Sequence, residues 1–306
     1  MMPTEKTSPF IININKPKGI TSYDVIRLWK PRLKKLGKVG HFGTLDPFAS
    51  GVLMLGVAGA QRLNEYIHEC FPKTYLAKGI LGQETETGDL TAEISQVDES
   101  EYLKNTISNF EKSFIENQLK EKFLGDYLQS PHKYSATKHE GKALHQWARE
   151  GVEIKKEQVL RHIHSIEVVK YEFPDLWIRV VASSGTYIRT LFSECANHLG
   201  TIGVLEDLIR EKVGGCTLDN SISEPNWSDE DFQSLAMDTV LDFSSLIMAP
   251  KEAGLYQNGV RLNSDRALEI SPGTLDAKYF WVRSEDKTIL GLAEIINDQI
   301  VSKANF

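Results

Sequence analysis

The chain has 306 residues, a length that allows one large domain and one small one. Its composition, with 41% hydrophobic and 25% charged residues, is that of a folded globular protein and excludes a disordered or fibrous chain. No apolar run approaches the roughly 20 residues that span a bilayer, and the N-terminus lacks the apolar core of a signal peptide, so we expect a cytoplasmic protein.

The net charge of −7 is at first sight unfavourable for nucleic-acid binding. The charges are unevenly distributed, however. Residues 16–38 contain eight Lys or Arg and one acid, whereas residues 224–306 contain fourteen acids and seven bases. This asymmetry is compatible with a polyanion that docks on one face, and equally with a solvated helix face.

The first half of the chain predicts a strand at residues 10–14, followed by a helix that opens at Thr21 with a capping-box pattern and runs to about Pro31. Six glycines between residues 37 and 59 indicate a loop, from which a strand at 52–57 emerges. A short helix is predicted near residues 61–68.

Farther along, the apolar spacing predicts strands at 74–81 and 176–182 and an amphipathic helix at 186–199. Residues 98–126 are typical of one or two surface helices. The polar stretch 219–231 is expected to be an exposed connection.

From about residue 246, short apolar runs alternate with turns, which is typical of a small β domain. We therefore expect two domains, at residues 1–245 and 246–306.

Asp46 is the first candidate for chemistry, because it stands directly before a proline in a glycine-rich loop that a ligand can approach. An Asp-Pro pair also caps ordinary turns, and that alternative stays open on this segment alone. Arg189 is predicted in the first turn of a helix, where a cation is disfavoured unless it meets an anion such as Asp46; an incidental surface ion pair is the alternative. Tyr75 and Tyr134 are either site aromatics or half-buried core.

Other chemistries lack support. The sequence has no GxSxG motif, no GxGxxG motif and no P-loop, which disfavours serine hydrolases and the common nucleotide cofactors. His162 and His164 have strand-like spacing, but nothing completes a metal site. The three cysteines lie far apart in no CxxC pattern, which argues against a zinc site or a disulfide framework.

Seven segments in order resemble the TruB family of tRNA pseudouridine-55 synthases. Their patterns are KPxGxTS, GHxGTLDPxAxG, KxY, LGxxTxTxD, YSAxKxxG, GTYIR and LRRxxVG. In this chain they correspond to residues 16–22, 40–51, 73–75, 81–89, 134–141, 184–189 and 208–214.

The resemblance implies that Asp46 is the catalytic aspartate, acting either at the sugar C1′ or through the base, and that Arg189 orients it. It implies that Tyr75 stacks on the target uracil and that His41 enters the T-loop. The other predicted substrate contacts are Tyr187, Leu208, Lys16 and Lys18, the two lysines as phosphate ligands.

By the same resemblance, the fold class is α/β (α+β): a pseudouridine synthase fold with a mixed, largely antiparallel central sheet, plus a small PUA-like C-terminal β domain. The substrate implied is the T-arm of tRNA, from which the target uridine must be flipped. The reaction is an isomerisation, so no cofactor and no metal is implied, and we expect a monomer.

Three alternatives stay open from the sequence. A non-catalytic RNA-binding or chaperone protein on the same fold is disfavoured by an ionisable Asp46 beside Tyr75 and Arg189. An enzyme that needs protein and guide-RNA partners is disfavoured by the compact chain without basic tails. An aspartate-dependent hydrolase would act on a small molecule without RNA.

Overall fold

The computed structural model describes residues 8–130, 138–139, 142–143, 157–224, 227 and 232–306. The predicted site aromatic Tyr134, and most of the YSAxKxxG segment, lie outside these residues. Among the helices of the described part, none has the length and apolarity needed to cross a membrane.

A ten-stranded mixed sheet forms the centre of the fold. Its strands are β1 Phe10–Lys16, β2 Val39–Phe42, β3 Ser50–Val57, β4 Lys73–Leu81, β7 Gly125–Gln129, β10 Val159–Glu172, β11 Asp175–Ala182, β12 Gly203–Val213, β13 Cys216–Thr217 and β14 Leu235–Ala236. They lie in the order β14-β1-β3-β12-β4-β11-β10-β7, with β2 paired to β3 and β13 to β12. Every pairing in this sheet is antiparallel except that of β12 with β3. Two short hairpins stand apart: β5 Gln83–Thr85 with β6 Ile94–Val97, and β8 Lys138–His139 with β9 Lys142–Ala143.

Helices cover parts of this sheet and connect its strands. They are α1 Ser22–Leu33, α2 Asn64–Cys70, α3 Glu101–Asn105, α4 Lys112–Phe123, α5 Ile188–His198, α6 Met237–Val240 and α7 Pro250–Gln257. The predicted capping box at the start of α1 is present, because Thr21 and Asp24 bond reciprocally. The sequence predicts an end or a kink of this helix at Pro31, but the helix continues through the proline to Leu33.

Two apolar clusters hold the helices to the sheet. One lies under α4 and α5, where Ile115, Leu119 and Phe192 pack against buried residues of β10, β11 and β4. The other packs α1, through Trp29, against β1 and β3. Their burial is the main stabilising contribution in this part of the fold.

The C-terminal part forms a second, six-stranded sheet. Its strands are β15 Ser245–Met248, β16 Leu262–Asn263, β17 Glu269–Ser271, β18 Tyr279–Ser284, β19 Ile289–Ile296 and β20 Gln299–Asn305. They lie in the order β16-β20-β19-β18-β15-β17. The predicted small β structure is thus present. It shares one apolar cluster with the larger part, in which Tyr279, Trp281 and Leu292 lie with Phe42 and Tyr66.

Several elements differ from the sequence-based expectation. Residues 39–42, expected to be loop, form β2 and pair with β3. Strands β10 and β12 were not expected, although β12 lies at the centre of the sheet. Periodicity did not predict them because long-range pairing, rather than local propensity, selects these strands.

Candidate active site

Four neighbouring strands of the large sheet, β3, β12, β4 and β11, bring the site together. Asp46 lies on the loop that enters β3, and Tyr75 lies on β4, directly opposite Arg210 of β12. Strand β11 leads through the turn at residues 183–187 into α5, which carries Arg189. One cleft of about 250 Å³ is lined by the side chains of Asp46, Tyr75, Arg189 and Arg210.

The loop that carries Asp46 is held from both sides. On one side, Ser22 Oγ accepts from the backbone N of Leu45 at 2.9 Å, and Gly19 N donates to the carbonyl of Pro47 at 2.7 Å. On the other side, the guanidinium of Arg210 donates to the carbonyls of three loop or strand residues. These are Gly43 at 3.1 Å, Thr44 at 3.4 Å and Val52 at 2.7 Å.

The loop also depends on a close approach of backbone to backbone at Gly51. This residue has a φ of +110°, and a Cβ there would lie 2.3 Å from the carbonyl oxygen of Arg210. Only glycine fits such a position. The last glycine of the GHxGTLDPxAxG pattern therefore has a steric role.

Arg189 links two carboxylates. Its Nε lies 3.1 Å from Oδ2 of Asp46, and its Nη1 lies 3.0 Å from Oδ2 of Asp89 and donates to the carbonyl of Thr87 at 2.8 Å. Arg189 and Asp89 are buried, at 7% and 3% exposure. The predicted pairing of Arg189 with Asp46 is present in the structure, and Asp89 fixes the other end of the guanidinium.

Asp46 is placed in an environment that penalises its charge. The side chain keeps 37% of its surface exposed towards the cleft. Burial of the carboxyl group raises its pKa, and the neighbouring charge of Asp89 acts in the same direction. Arg189 and Lys16 lower the pKa and offset part of that effect.

Tyr75 forms part of the wall of the cleft. Its ring packs against the cluster under α5, and the residue is paired with Arg210 across β4 and β12. Arg210 is itself buried, which lowers its pKa, while Tyr75 raises it. An aromatic ring that lines a cleft and packs against the core offers a stacking surface for a planar base.

The other predicted contacts fall in different places. Tyr187 and Leu208 line the cleft with Asp46. His41 lies outside the cleft lining, on β2, half-buried and with an Nδ1 that has no hydrogen-bond partner within the described residues. Burial lowers the pKa of His41.

The two lysines of the first motif behave differently from each other. Lys18 is about half exposed and pairs with Asp207 at 2.7 Å. Lys16 is fully buried, and its Nζ donates to the carbonyls of Pro17 and Ile20, each at 2.8 Å. The expected phosphate contact of Lys16 is therefore wrong for this structure, because its ammonium group bonds the segment that supports Asp46.

Several residues in the cleft or directly behind it received no role from the sequence. Asp89, Lys73 and Arg210 stand inside matched segments, so their positions were visible, but their contacts were not. His68 lies outside every matched segment and carries no sequence signal. Among the described residues, no group of three His, Cys, Asp or Glu side chains could hold a metal ion.

Solved structures share this architecture. A chain in the crystal structure of a Cbf5-Nop10-Gar1 complex matches with a TM-score of 0.68 at 22% identity, covering 96% of this chain and 79% of that one. A chain from an H/ACA RNP bound to a substrate RNA containing 2′-deoxyuridine also gives 0.68, at 20% identity, with 97% and 84% covered. These similarities confirm the predicted mixed fold with its small C-terminal β structure.

Sequence comparison gives the family. Residues 31–188 match the model of the TruB family pseudouridylate synthase N-terminal domain. The tRNA pseudouridine synthase B of Clostridium tetani is 34% identical over 85% of this chain and 87% of its own length. That of Clostridium acetobutylicum is 33% identical over 93% and 95%. The chain is thus a pseudouridylate synthase, an enzyme that isomerises uridine to pseudouridine. It belongs to the TruB family.

Proposed function

We propose that this enzyme converts the uridine at position 55, in the T-loop of tRNA, to pseudouridine, with Asp46 as its catalytic residue. The observation that carries the proposal is the ion pair between Asp46 and Arg189 at the base of the cleft, with the ring of Tyr75 in the wall. The two clostridial relatives are named tRNA pseudouridine synthase B and align over most of both chains.

The chemistry requires one bond to break and another to form. The bond from C1′ of the ribose to N1 of uracil breaks, the ring turns, and C1′ bonds to C5. The proton on C5 leaves and N1 gains one, so the reaction needs no oxidant or cofactor. Asp46 engages the nucleotide at C1′ or through the base, and Arg189 holds the carboxylate ionised and oriented for that step.

The cleft has room for a single nucleotide rather than a helix, so the target must leave the base stack. Unstacking costs on the order of a few kcal/mol, and stacking on Tyr75 offsets part of it. Tyr187 and Leu208 complete the walls around the base. His41, on the adjoining strand, enters the space left in the T-loop.

Phosphate contacts come from the basic segment around α1. A groove of about 530 Å³ is lined by Lys30, Lys34 and Lys38 together with Tyr23, which is 63% exposed. Within the part of the chain that the structure describes, none of these three lysines forms an ion pair. Lys18 lies on the same N-terminal segment as this groove. Unneutralised lysines beside an exposed aromatic ring suit an RNA backbone.

We further propose that the enzyme acts as a monomer in the cytoplasm and that residues 1–245 and 246–306 are its catalytic and PUA-like domains. The three cysteines are free thiols, which a reducing compartment favours. The acidic C-terminal domain supports the catalytic domain through the shared apolar cluster.

Pseudouridine mapping on an unmodified tRNA transcript tests the function. We expect wild-type protein to modify the T-loop uridine alone, and Asp46→Asn to bind the transcript without modifying it. A folded wild type that binds tRNA and modifies nothing would support the non-catalytic RNA-binding alternative instead.

A further inference from the structure

A second polar cluster adjoins the Asp46 cleft and has no part in the chemistry above. Nζ of Lys73, on β4, lies 2.8 Å from Oγ of Ser184 and 3.0 Å from Nδ1 of His68, on α2. His68 Nδ1 also contacts Ser184 Oγ. Because His68 and Lys73 line the same cleft as Asp46, this corner is within reach of whatever the cleft binds.

The corner brings together the cations of Lys73 and Arg210, and Asp46 of the same cleft is a carboxylate whose charge acts on Arg210. Lys73 is 4% exposed, and burial, followed by the charge of Arg210, lowers its pKa to about 7. Among the described residues no carboxylate forms an ion pair with Lys73 or with Arg210. Isolated buried cations cost free energy, so an anion that enters the corner would be stabilised.

Gly43 brings the same groups to one point. A Cβ at this glycine would lie 3.2 Å from Cε1 of His68, 3.6 Å from Nη1 of Arg210 and 3.6 Å from Cε of Lys73. Two charged side chains and an imidazole therefore surround the bare backbone of Gly43. The absence of a side chain at Gly43 lets these three groups pack close to the backbone of the Asp46 loop.

The corner presents donors rather than acceptors. If the hydroxyl of Ser184, which accepts from Lys73, donates to Nδ1 of His68, the imidazole proton lies on Nε2 and is available as a donor. On the far side of the same turn, Nη1 of Arg161 lies 3.5 Å from the carbonyl of Ser184. Its Nε has no hydrogen-bond partner within the described residues. Donors and cations without acceptors match an oxyanion.

We propose that His68 and Lys73, held in place by Ser184, bind a backbone phosphate next to the uridine in the Asp46 cleft. This inference rests on the proposed function, because the phosphates nearest to a flipped nucleotide are those on its own 5′ and 3′ sides. The contact fixes the sugar of the target relative to Asp46. It adds a positioning site to the stacking surface of Tyr75.

A chemical double-mutant cycle tests the contact. A T-arm stem-loop RNA is prepared with an ordinary linkage, or with a neutral methylphosphonate on the 5′ or the 3′ side of the target uridine. Binding of each RNA is measured to two proteins. The first is the Asp46→Asn variant, which is expected to bind RNA without modifying it, and the second combines Asp46→Asn with Lys73→Met. Charge-assisted hydrogen bonds predict that one neutral linkage weakens binding to the first protein about tenfold or more.

The double variant should bind ordinary RNA correspondingly more weakly and should no longer respond to the neutral linkage. The slope of log affinity against log salt should fall by about 0.7 to 0.9, the amount expected for one phosphate contact. Lys104→Met, which removes an exposed charge from α3, is the matched control and should retain the full response to the neutral linkage.

Equal losses in both proteins at both positions would overturn the proposal and leave Lys73 as a packing residue. Should Lys73→Met fail to fold, Ser184→Ala takes its place in the same comparison. Modification of ordinary RNA by the wild type is measured in parallel. If the wild type does not modify the RNA, the proposed function is refuted. If it does, but the effects of Lys73→Met and of the neutral linkage on binding simply add, the phosphate contact alone is refuted.

Discussion

Nε of Arg189 lies 3.1 Å from Oδ2 of Asp46, and this ion pair sets the position of the carboxylate in the cleft. The guanidinium is fixed from behind by Asp89, which is buried and also accepts from the backbone N of Thr91 at 3.0 Å. The orientation of Asp46 therefore depends on a residue that lines no part of the cleft.

Asp89→Asn is expected to lower the single-turnover rate at saturating tRNA by about tenfold or more, since misplacing a catalytic group slightly has effects of that size. Binding of tRNA should change little, because Asp89 does not face the cleft. Asp265→Asn removes an exposed carboxylate from the C-terminal part and serves as the control. An unchanged rate in Asp89→Asn would show that Arg189 holds its position without this partner.

The raised pKa of Asp46 predicts a pH dependence of the rate. The ionised carboxylate is the form that Arg189 stabilises, so activity should fall on acidification at a pH above the ordinary range of aspartate. Rates measured under single-turnover conditions across the acidic range would reveal this fall in rate. A fall centred on the ordinary pKa of aspartate would contradict the desolvated environment.

The same shift predicts an effect on stability. A raised pKa means that the native state binds the proton more tightly than the unfolded state, so ionised Asp46 destabilises the fold at neutral pH and protonation relieves the cost. Asp46→Asn should therefore be at least as stable as wild type at neutral pH in urea unfolding. The difference should shrink as the pH falls through the native pKa. A clear loss of stability in the variant at neutral pH would be inconsistent with this account.

Gly51→Ala tests the backbone contact beneath the Asp46 loop. The added methyl group meets the carbonyl of Arg210 at a positive φ, so we expect a loss of about 2 kcal/mol or more in the free energy of unfolding. Gly259→Ala has a φ of +77° and nothing within 4 Å, and it isolates the conformational cost alone, roughly 1 kcal/mol. Equal losses in the two variants would show that the loop shifts to admit the methyl group.

The shared apolar cluster predicts that both parts of the chain unfold together. Trp281 is fully buried, and its Nε1 donates to the carbonyl of Leu241 at 2.6 Å, so Trp281→Ala should cost about 3 to 5 kcal/mol. We expect a single unfolding transition by tryptophan fluorescence and far-ultraviolet circular dichroism. Ile270→Ala, at an exposed position of β17, should have little effect. Two separate transitions would mean that the C-terminal sheet folds independently.

Local sequence determined the features that short-range chemistry controls. The capping box of Thr21 and Asp24 was readable because its partners are three residues apart. The strand at β4 and the helix at α5 followed from periodicity, and the order of the matched segments pointed to Asp46 and to the family. These are properties of residues and their near neighbours, which the chain carries before it folds.

Tertiary structure alone decided what these residues touch. Lys16 was expected on the surface and is buried against carbonyls, and Arg210 reaches Gly43 from 167 positions along the chain. The corner of His68, Lys73 and Ser184 joins three elements, with 111 positions between Lys73 and Ser184. Such contacts depend on strand order and register, and a one-residue slip reverses the face on which each side chain lies. For that reason the sequence pointed to Asp46 and its partner Arg189, and only the fold placed Asp89, Arg210 and Lys73 around them.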